Sequence, residues 1–207
     1  MIPSATVCSP PRAQRGVVLF VAMIAILALT LAALALDRAV ATDATIAANG
    51  DARTHATLLA SDAIERAVAD LFETGAIVDR FTDDVPHNYF ASRQAGEDAR
   101  GVPRALQALA TYPTDAAIVD AGDRHQLRYV IERLCLRSGA PAADNCTLTP
   151  PSAAAARGTP PAGEPPRTPI YRVTVRVDGP AGTTAFVQAI LGESPTHHRL
   201  SWRALDE

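Results

Sequence analysis

Residues 17–36 read VVLFVAMIAILALTLAALAL, twenty positions with no charged side chain and a single hydroxyl group. A helix rises about 1.5 Å per residue, so this run makes a helix of about 30 Å, which matches the hydrocarbon thickness of a bilayer. Arg12 and Arg15 precede the run, and the first acidic residue of the chain, Asp37, follows it. The positive-inside rule therefore predicts a cytoplasmic N-terminus and export of everything after Leu36.

Three interpretations of this apolar run compete. A removable secretory signal is favoured by the basic start and by the small residues of Ala33-Leu34-Ala35, although the run is longer than the usual 7 to about 15 residues. A plain membrane anchor for an exported domain fits equally well. The third interpretation rests on Gln14-Arg15-Gly16 followed at once by Val17. A short basic leader that ends in glycine directly before an apolar helix resembles the class III signal of type IV pilins and pseudopilins.

This resemblance implies that prepilin peptidase cuts between Gly16 and Val17 and methylates the new N-terminus. Glycine suits such a bond because it brings no side chain to the peptidase at the membrane face. The fifth mature position, which is glutamate in major pilins, is Val21 here. That glutamate is held to pair with a neighbouring N-terminal amine inside the apolar filament core, where an unpaired charge is costly. Its absence suits a filament tip or a rare insertion, as in PilX-type minor pilins and the K-type tip pseudopilins of type II secretion.

The apolar helix is predicted to continue into the exported part. No proline occurs between Pro11 and Pro86, so one helix can extend over residues 17–73. Its second half carries an apolar stripe at the i, i+3, i+4, i+7 spacing, which predicts packing against a sheet. The stripe consists of Ala60, Ala63, Ile64, Ala67, Val68, Leu71 and Phe72. Gly75 is the predicted helix stop.

Three strands are predicted after the helix. Residues 128–135 (RYVIERLC) form the first, and residues 170–177 and 183–191 form a hairpin around a turn at 178–182. The second strand alternates valine and tyrosine with arginine and threonine, which indicates one buried and one solvated face. Residues 76–122 have no sustained period and predict loops with one short helix near 103–110.

These features extend the resemblance to PilX-type minor pilins over about half of the chain. The stretch 49–66 contains Ala60-Ser61-Asp62-Ala63, with Asp62 where the family more often has glutamate. The Tyr-Val-Ile-Glu strand before a cysteine and the final hairpin with its Val-Gln pair are also similar to that family. The resemblance implies an α+β, pilin-like fold in which a long N-terminal helix packs on a small antiparallel sheet.

The predicted organisation has four parts. Residues 1–16 are the leader, 17–36 the transmembrane helix, 37–75 its periplasmic continuation and 76–207 an α+β head. Within the head, residues 140–169 hold eight prolines in thirty positions, which predicts a surface loop because proline cannot donate to a sheet ladder.

The three cysteines indicate one disulfide in the exported part. Cys8 lies in the leader, which leaves Cys135 and Cys146 in an oxidising compartment. A bridge between them would stabilise the fold by roughly 3 kcal/mol in the chain-entropy model, and we favour it over two free thiols. The triplet Asn145-Cys146-Thr147 matches a glycosylation sequence but has little meaning in the bacterial setting that the leader implies.

No motif of the chain predicts catalysis, a cofactor or a metal site. The histidines at 55, 87, 125, 197 and 198 form no ligand array, and His197-His198 is expected in an exposed polar tail. Asp83-Asp84 lacks the spacing of a calcium loop, and no nucleophile elbow or phosphate loop occurs. Arg172 and Arg176 share one strand face, either as a plain solvent face or as a small cationic patch for a partner.

The balance of charged residues also limits the functions that the protein can have. All 19 cationic residues are arginines, against 22 acidic residues, so the formal net charge is −3 and no basic surplus favours nucleic-acid binding. The resemblance implies a minor pilin of the bacterial inner membrane that joins other minor pilins, the major pilin and a possible tip adhesin to prime pilus polymerisation. We therefore expect neither enzymatic activity nor a small-molecule substrate. The alternatives are a K-type pseudopilin, a single-span periplasmic scaffolding or binding protein and, least supported, a hydrolase of the same topology.

Overall fold

The computed structural model describes residues 15–122, 124–149, 167–193 and 198–205. The chain divides into two compact units, the first ending at Asp51 and the second beginning at Ala52. Helix α1, Arg15–Val68, supplies all the described residues of the first unit and the first seventeen residues of the second. The predicted leader falls outside the described residues up to position 14.

The second unit begins with the end of α1 and a π-helical turn at Ala69–Glu73. The N–H of Thr74 donates to the carbonyl of Ala69 at 2.8 Å, five residues back, which is the bonding pattern of a π-turn. Gly75 follows with φ +68°, a left-handed conformation in which glycine carries no Cβ penalty. The predicted helix stop is therefore confirmed.

A six-stranded, mostly antiparallel sheet forms the centre of the second unit. The strands are β1 (Tyr89–Phe90), β2 (Val119–Asp120), β3 (Gln126–Arg133), β4 (Ile170–Asp178), β5 (Thr184–Gly192) and β6 (His198–Ala204). Their order is β1-β3-β4-β5-β6, with β2 beside β1 on the same edge of β3. The β1–β3 pair is parallel and all others are antiparallel. The α+β class is confirmed.

The predicted hairpin is present as β4 and β5. Ile170 pairs with Gly192 at one end and Asp178 with Thr184 at the other, without a register shift. Strand β3 begins and ends two residues earlier than predicted, so Cys135 lies just beyond it. The short helix α2, Arg104–Gln107, falls inside the predicted 103–110 segment.

The C-terminal tail prediction is wrong for the described residues. His198 begins β6, which pairs with β5 up to Ala204 opposite Val187. The sequence HRLSWRA has weak alternation and three basic side chains, so it gives little strand signal without its neighbour. His197 lies outside the described residues.

One face of the sheet, which we call the helix face, packs on α1. The predicted apolar stripe supplies the helical half of this core, with Ala60, Ala63, Ile64, Ala67 and Leu71 buried and Val68 and Phe72 packed at its margin. The sheet contributes Tyr129, Ile131, Val173, Val175, Val187 and Ala189, among others. The three alanines of the stripe, Ala60, Ala63 and Ala67, have short side chains, which allows the helix backbone to lie close to the sheet.

The opposite face, which we call the second face, is covered rather than solvated. Residues 90–117, here the cover segment, place Phe90, Val102, Leu106, Tyr112 and Ala116 against Val130 and Phe186 of the sheet. The prediction of a wet second face is therefore wrong. The cover segment is largely irregular, so no hydrophobic period reveals it in the sequence.

The predicted proline-rich loop is described at its two ends. Leu148 forms an isolated bridge with Pro169, and the N–H of Ile170 donates to the carbonyl of Thr147 at 3.0 Å. The two ends of the loop thus meet beside the start of β4. Residues 150–166, with most of the prolines, lie outside the described residues.

Candidate functional site

The apolar N-terminal run is the first candidate site. Residues 17–36 are helical throughout and every side chain of the run is exposed in the isolated chain. Helix 17–73 is long and apolar enough to cross a membrane, and it is the one such helix among the described residues. A helix that is apolar on all sides needs lipid or other apolar helices around it. The segment is thus consistent with a single membrane span or a signal sequence.

The predicted processing residues lie at the beginning of this helix. Helix α1 starts at Arg15, so Gly16 and Val17 belong to its first turn. Val17 is exposed, and so is Val21, one turn further along. Cleavage after Gly16 and the role of the missing acid at Val21 remain predictions.

The predicted disulfide is the second candidate site. The sulfur atoms of Cys135 and Cys146 are bonded at 2.06 Å, and both residues are buried. The bridge closes a loop just beyond β3, where the N–H of Thr147 donates to the carbonyl of Leu134 at 2.8 Å. A shallow cavity of about 310 Å³ beside the bridge is lined mainly by residues 134–136 and 143–147. The disulfide therefore fastens the loop to the end of the sheet.

The glycosylation triplet has a structural use in this loop. The side-chain oxygen of Asn145 accepts the N–H of Arg137 at 3.1 Å, and its amide donates to the carbonyl of Arg137 at 3.2 Å. Asn145 is buried, so its amide stabilises the disulfide loop and is not presented to solvent.

Histidines and acids form no group of three or more metal-ligating side chains within the described residues. The rings of His55 and His125 lie 5.0 Å apart, and Nδ1 of His87 contacts Asp84 at 2.9 Å. Asp83 accepts the N–H of Ala91 at 2.7 Å. The Asp83-Asp84 pair thus shapes a turn.

The second face contains charged residues whose burial the sequence did not predict. Arg172 donates through Nε to Glu132 at 2.9 Å and through Nη2 to Glu97 at 2.6 Å. Glu132 also accepts the N–H of Gln94 at 2.7 Å, which ties the cover segment to the sheet. Arg93 donates through Nε to Glu97 at 2.7 Å and extends the network to the surface.

A second ion cluster lies at the other end of the same face. Asp178 accepts Nη1 of Arg128 at 2.7 Å and Nε of Arg176 at 2.8 Å. Arg176 also donates to the carbonyl of Leu106 at 2.9 Å, again joining sheet and cover segment. Both alternatives for Arg172 and Arg176, a plain solvent face and a small cationic patch, are therefore wrong, because both side chains are mostly buried and paired with carboxylates.

Burial and pairing shift the two acids of the first cluster in opposite directions. The hydrogen bond from Arg93, aided by Arg172, lowers the pKa of Glu97 to about 2. Burial raises the pKa of Glu132, although Arg172 opposes this shift. Glu132 and Arg172 are directly opposite in the β3–β4 register. The sequence shows an acid in one predicted strand and an arginine in another, but it does not show that the two residues pair unless the register is known.

Comparison of the chain with protein-family models, curated proteins and solved structures gives no match. The architecture nevertheless resembles that of pilins in three features: a long apolar N-terminal helix, an antiparallel sheet on which the helix packs and a disulfide in the head. The geometry defines a pilin-like architecture, and the described residues bring together no catalytic constellation.

Proposed function

We propose that this protein is a minor pilin that takes part in type IV pilus assembly, in a tip or priming complex that starts polymerisation of the major pilin. The observation that carries the proposal is one continuous helix that is apolar on all sides over residues 17–36 and packs on an antiparallel sheet from Ala56 onward. Such a helix can lie in the membrane before assembly and among other apolar helices afterwards. The head would then face away from the helix bundle.

The tip position follows from Val21. A repeating subunit needs a partner for the N-terminal amine of its neighbour in an apolar surrounding, and valine cannot supply that partner. A subunit at the growing end does not have to satisfy this demand repeatedly. Helices already aligned in the membrane also lower the entropic cost of nucleation, because less freedom is lost when the major pilin joins.

The role is assembly, not catalysis. Its partners are other minor pilins, the major pilin and a possible tip adhesin, and prepilin peptidase processes the precursor at the inner membrane. In this topology the N-terminus is cytoplasmic and the head periplasmic, before the protein enters the pilus. The buried Cys135–Cys146 disulfide supports an oxidising location for the head.

The test is the mature N-terminus of protein made in its native host. We expect it to start at Val17 and to be methylated. Gly16→Leu should leave the precursor uncut, because the peptidase then meets a bulky side chain. Gly50→Leu is the matched control, since Gly50 lies in the same helix and a Cβ there meets nothing within 4 Å.

Three results would contradict the proposal. An intact Met1 on the wild type indicates a plain anchor, a start near Leu36 indicates a signal peptide, and normal processing of Gly16→Leu removes the basis of the leader. If processing occurs as expected, co-purification with a major pilin separates this function from that of a K-type pseudopilin, which would co-purify with the other pseudopilins.

A further inference from the structure

The two edges of the sheet differ in whether other strands pair with them. The edge formed by β3 is paired with β1 and β2, which together occupy both ends of that strand. The opposite edge is β6, which ends the strand order and pairs with β5 alone. Within the described residues, no backbone group lies bonded to the outer side of β6. An uncovered edge strand is a template for pairing with another chain.

The hydrogen-bond pattern identifies the residues that point outward. The N–H of Leu205 donates to the carbonyl of Phe186 at 2.9 Å, so this pair bonds towards β5. Hydrogen-bonded and non-bonded pairs alternate along an antiparallel ladder. Arg203 and Ser201 therefore also bond inward, and the N–H and C=O groups of Trp202 and Ala204 face outward. Leu200 is the extra residue at the bulge opposite Ile190 and Leu191, so the regular run is 201–204.

The side chains along this run give the edge a chemical character. Trp202 is opposite Ala189, a residue of the helix face, and remains 39% exposed. Arg203 lies on the second face, where it donates to the side-chain oxygen of Gln188 at 2.9 Å. In the described chain Arg203 forms no ion pair with a carboxylate. The strand sequence HRLSWRA contains no acid.

This charge pattern disfavours a second copy of the chain as the occupant. Antiparallel pairing of two β6 strands through the outward groups of Trp202 and Ala204 places Arg203 of one copy opposite Ser201, Arg203 or Leu205 of the other, depending on the register, and never opposite an acid. Like charges at directly opposite positions destabilise a strand pair. A partner strand with an acid opposite Arg203 would pair with that charge on the second face. Apolar residues before and after the acid would contact Trp202 on the helix face.

We propose that the outer edge of β6 over residues 201–204 accepts an extended strand of a partner protein in which apolar and acidic residues alternate. The outward groups of Trp202 and Ala204 bond to the backbone of that strand, Trp202 packs on its apolar side chains and Arg203 pairs with its acid. Backbone bonds supply affinity and alternate side chains supply selectivity in this mode of recognition. The surface is independent of the proposed role in pilus assembly.

The experiment uses the full chain in detergent micelles and an eight-residue peptide of alternating valine and glutamate. Trp202 is the single tryptophan of the protein, so its fluorescence reports binding at this edge without a label. We expect a saturable change with the glutamate peptide and about tenfold weaker binding of the same peptide with lysine in place of glutamate.

Two variants, Ala204→Pro and Arg203→Glu, and one control, Ala204→Thr, locate the contact. Ala204→Pro removes an outward N–H without removing a bond to β5, and it should abolish binding, whereas Ala204→Thr keeps that N–H and should bind as the wild type does. Arg203→Glu should reverse the preference, so that the lysine peptide binds more tightly. Arg203→Glu keeps every backbone donor, so it tests the proposed strand pairing even if Ala204→Pro does not fold.

Four outcomes would overturn the proposal: no saturable change with the glutamate peptide, equal binding of both peptides, retained binding in folded Ala204→Pro, or unaltered preference in Arg203→Glu. A concentration-dependent self-association of the wild-type chain that Ala204→Pro abolishes would also overturn it, because the edge would then belong to a second copy.

Discussion

The two faces of the sheet are both buried, but by different chemistry. On the helix face, valine, isoleucine and tyrosine side chains meet an alanine-rich helix stripe, and the polar contacts are peripheral. On the second face, an irregular cover segment meets arginine, glutamate, threonine and glutamine side chains as well as apolar ones. The first face is held by apolar burial and the second depends in addition on paired charges.

This difference shows why a strand whose sequence alternates apolar and polar residues can nevertheless be buried on both faces. Arg172, Thr174 and Arg176 alternate with valines along β4, yet each finds a partner beneath the cover segment. Charged groups can be buried when each is paired and hydrogen-bonded, but the net gain is small because both lose their hydration. The second face is therefore expected to be the more vulnerable one when a single partner is removed.

The largest effect is expected from Glu132→Ala, which leaves Arg172 buried beside one carboxylate instead of two. We expect the free energy of unfolding to fall by about 3–4 kcal/mol. The matched control is the adjacent Ile131→Val on the helix face, for which the loss should be only about 1 kcal/mol. Denaturant titrations of the full chain in detergent, followed by far-UV circular dichroism, measure both changes.

An apolar replacement of the pair, Glu132→Leu together with Arg172→Met, sharpens the same comparison. It should return the stability to within about 1 kcal/mol of the wild type, because no buried charge is left unpaired. A double variant as unstable as Glu132→Ala would show that the pair itself, and not its breakage, determines the stability of this face.

Acid should weaken the second face through Glu97. Its pKa in the folded protein is about 2, against 4.5 for the free side chain, so its stabilising contribution is complete above pH 4.5 and is lost as the pH falls towards 2. The raised pKa of Glu132 has the opposite sign, because protonation in the folded state relieves its burial. Glu97→Gln isolates the first contribution.

Thermal unfolding of wild type and Glu97→Gln between pH 6 and about 2 provides the measurement. The wild type should be the more stable protein at pH 6, and the difference should shrink steadily below pH 4.5. A difference that does not change with pH would mean that Glu97 contributes through packing and not through its charge.

The smallest effect is expected from Asp62→Ala on the exposed side of α1. The Oδ2 of Asp62 accepts Nε of Arg66 at 3.2 Å, but both side chains are more than half exposed. Such a pair contributes at most about 0.5 kcal/mol and is screened by salt. A loss as large as that of Glu132→Ala, measured in the same titration, would contradict the distinction between buried and exposed pairs.

Much of the helix face could be predicted from the sequence. The stripe from Ala60 to Phe72, the stop at Gly75 and the β4–β5 hairpin depend on periods and turn residues within one short stretch. The end of β3, by contrast, was predicted two residues too late, and β6 was not predicted. The ends of a strand depend on the strands with which it pairs, and residues 198–204 form strand β6 because they form backbone hydrogen bonds with β5.

The sequence by itself determined the elements whose signals are local: an uncharged run long enough to span a bilayer, an amphipathic helix behind it and a pair of cysteines in the head. Only the tertiary structure decided that Arg172 is buried and Arg176 mostly buried, that the cover segment lies over them and that, among the described strands, β6 pairs on one side alone. These features bring together residues far apart in the chain, such as Glu97 with Arg172 and Leu106 with Arg176. The local pattern of apolar and polar residues does not reveal such pairs, because the two residues of a pair interact only after the chain between them has closed into a loop.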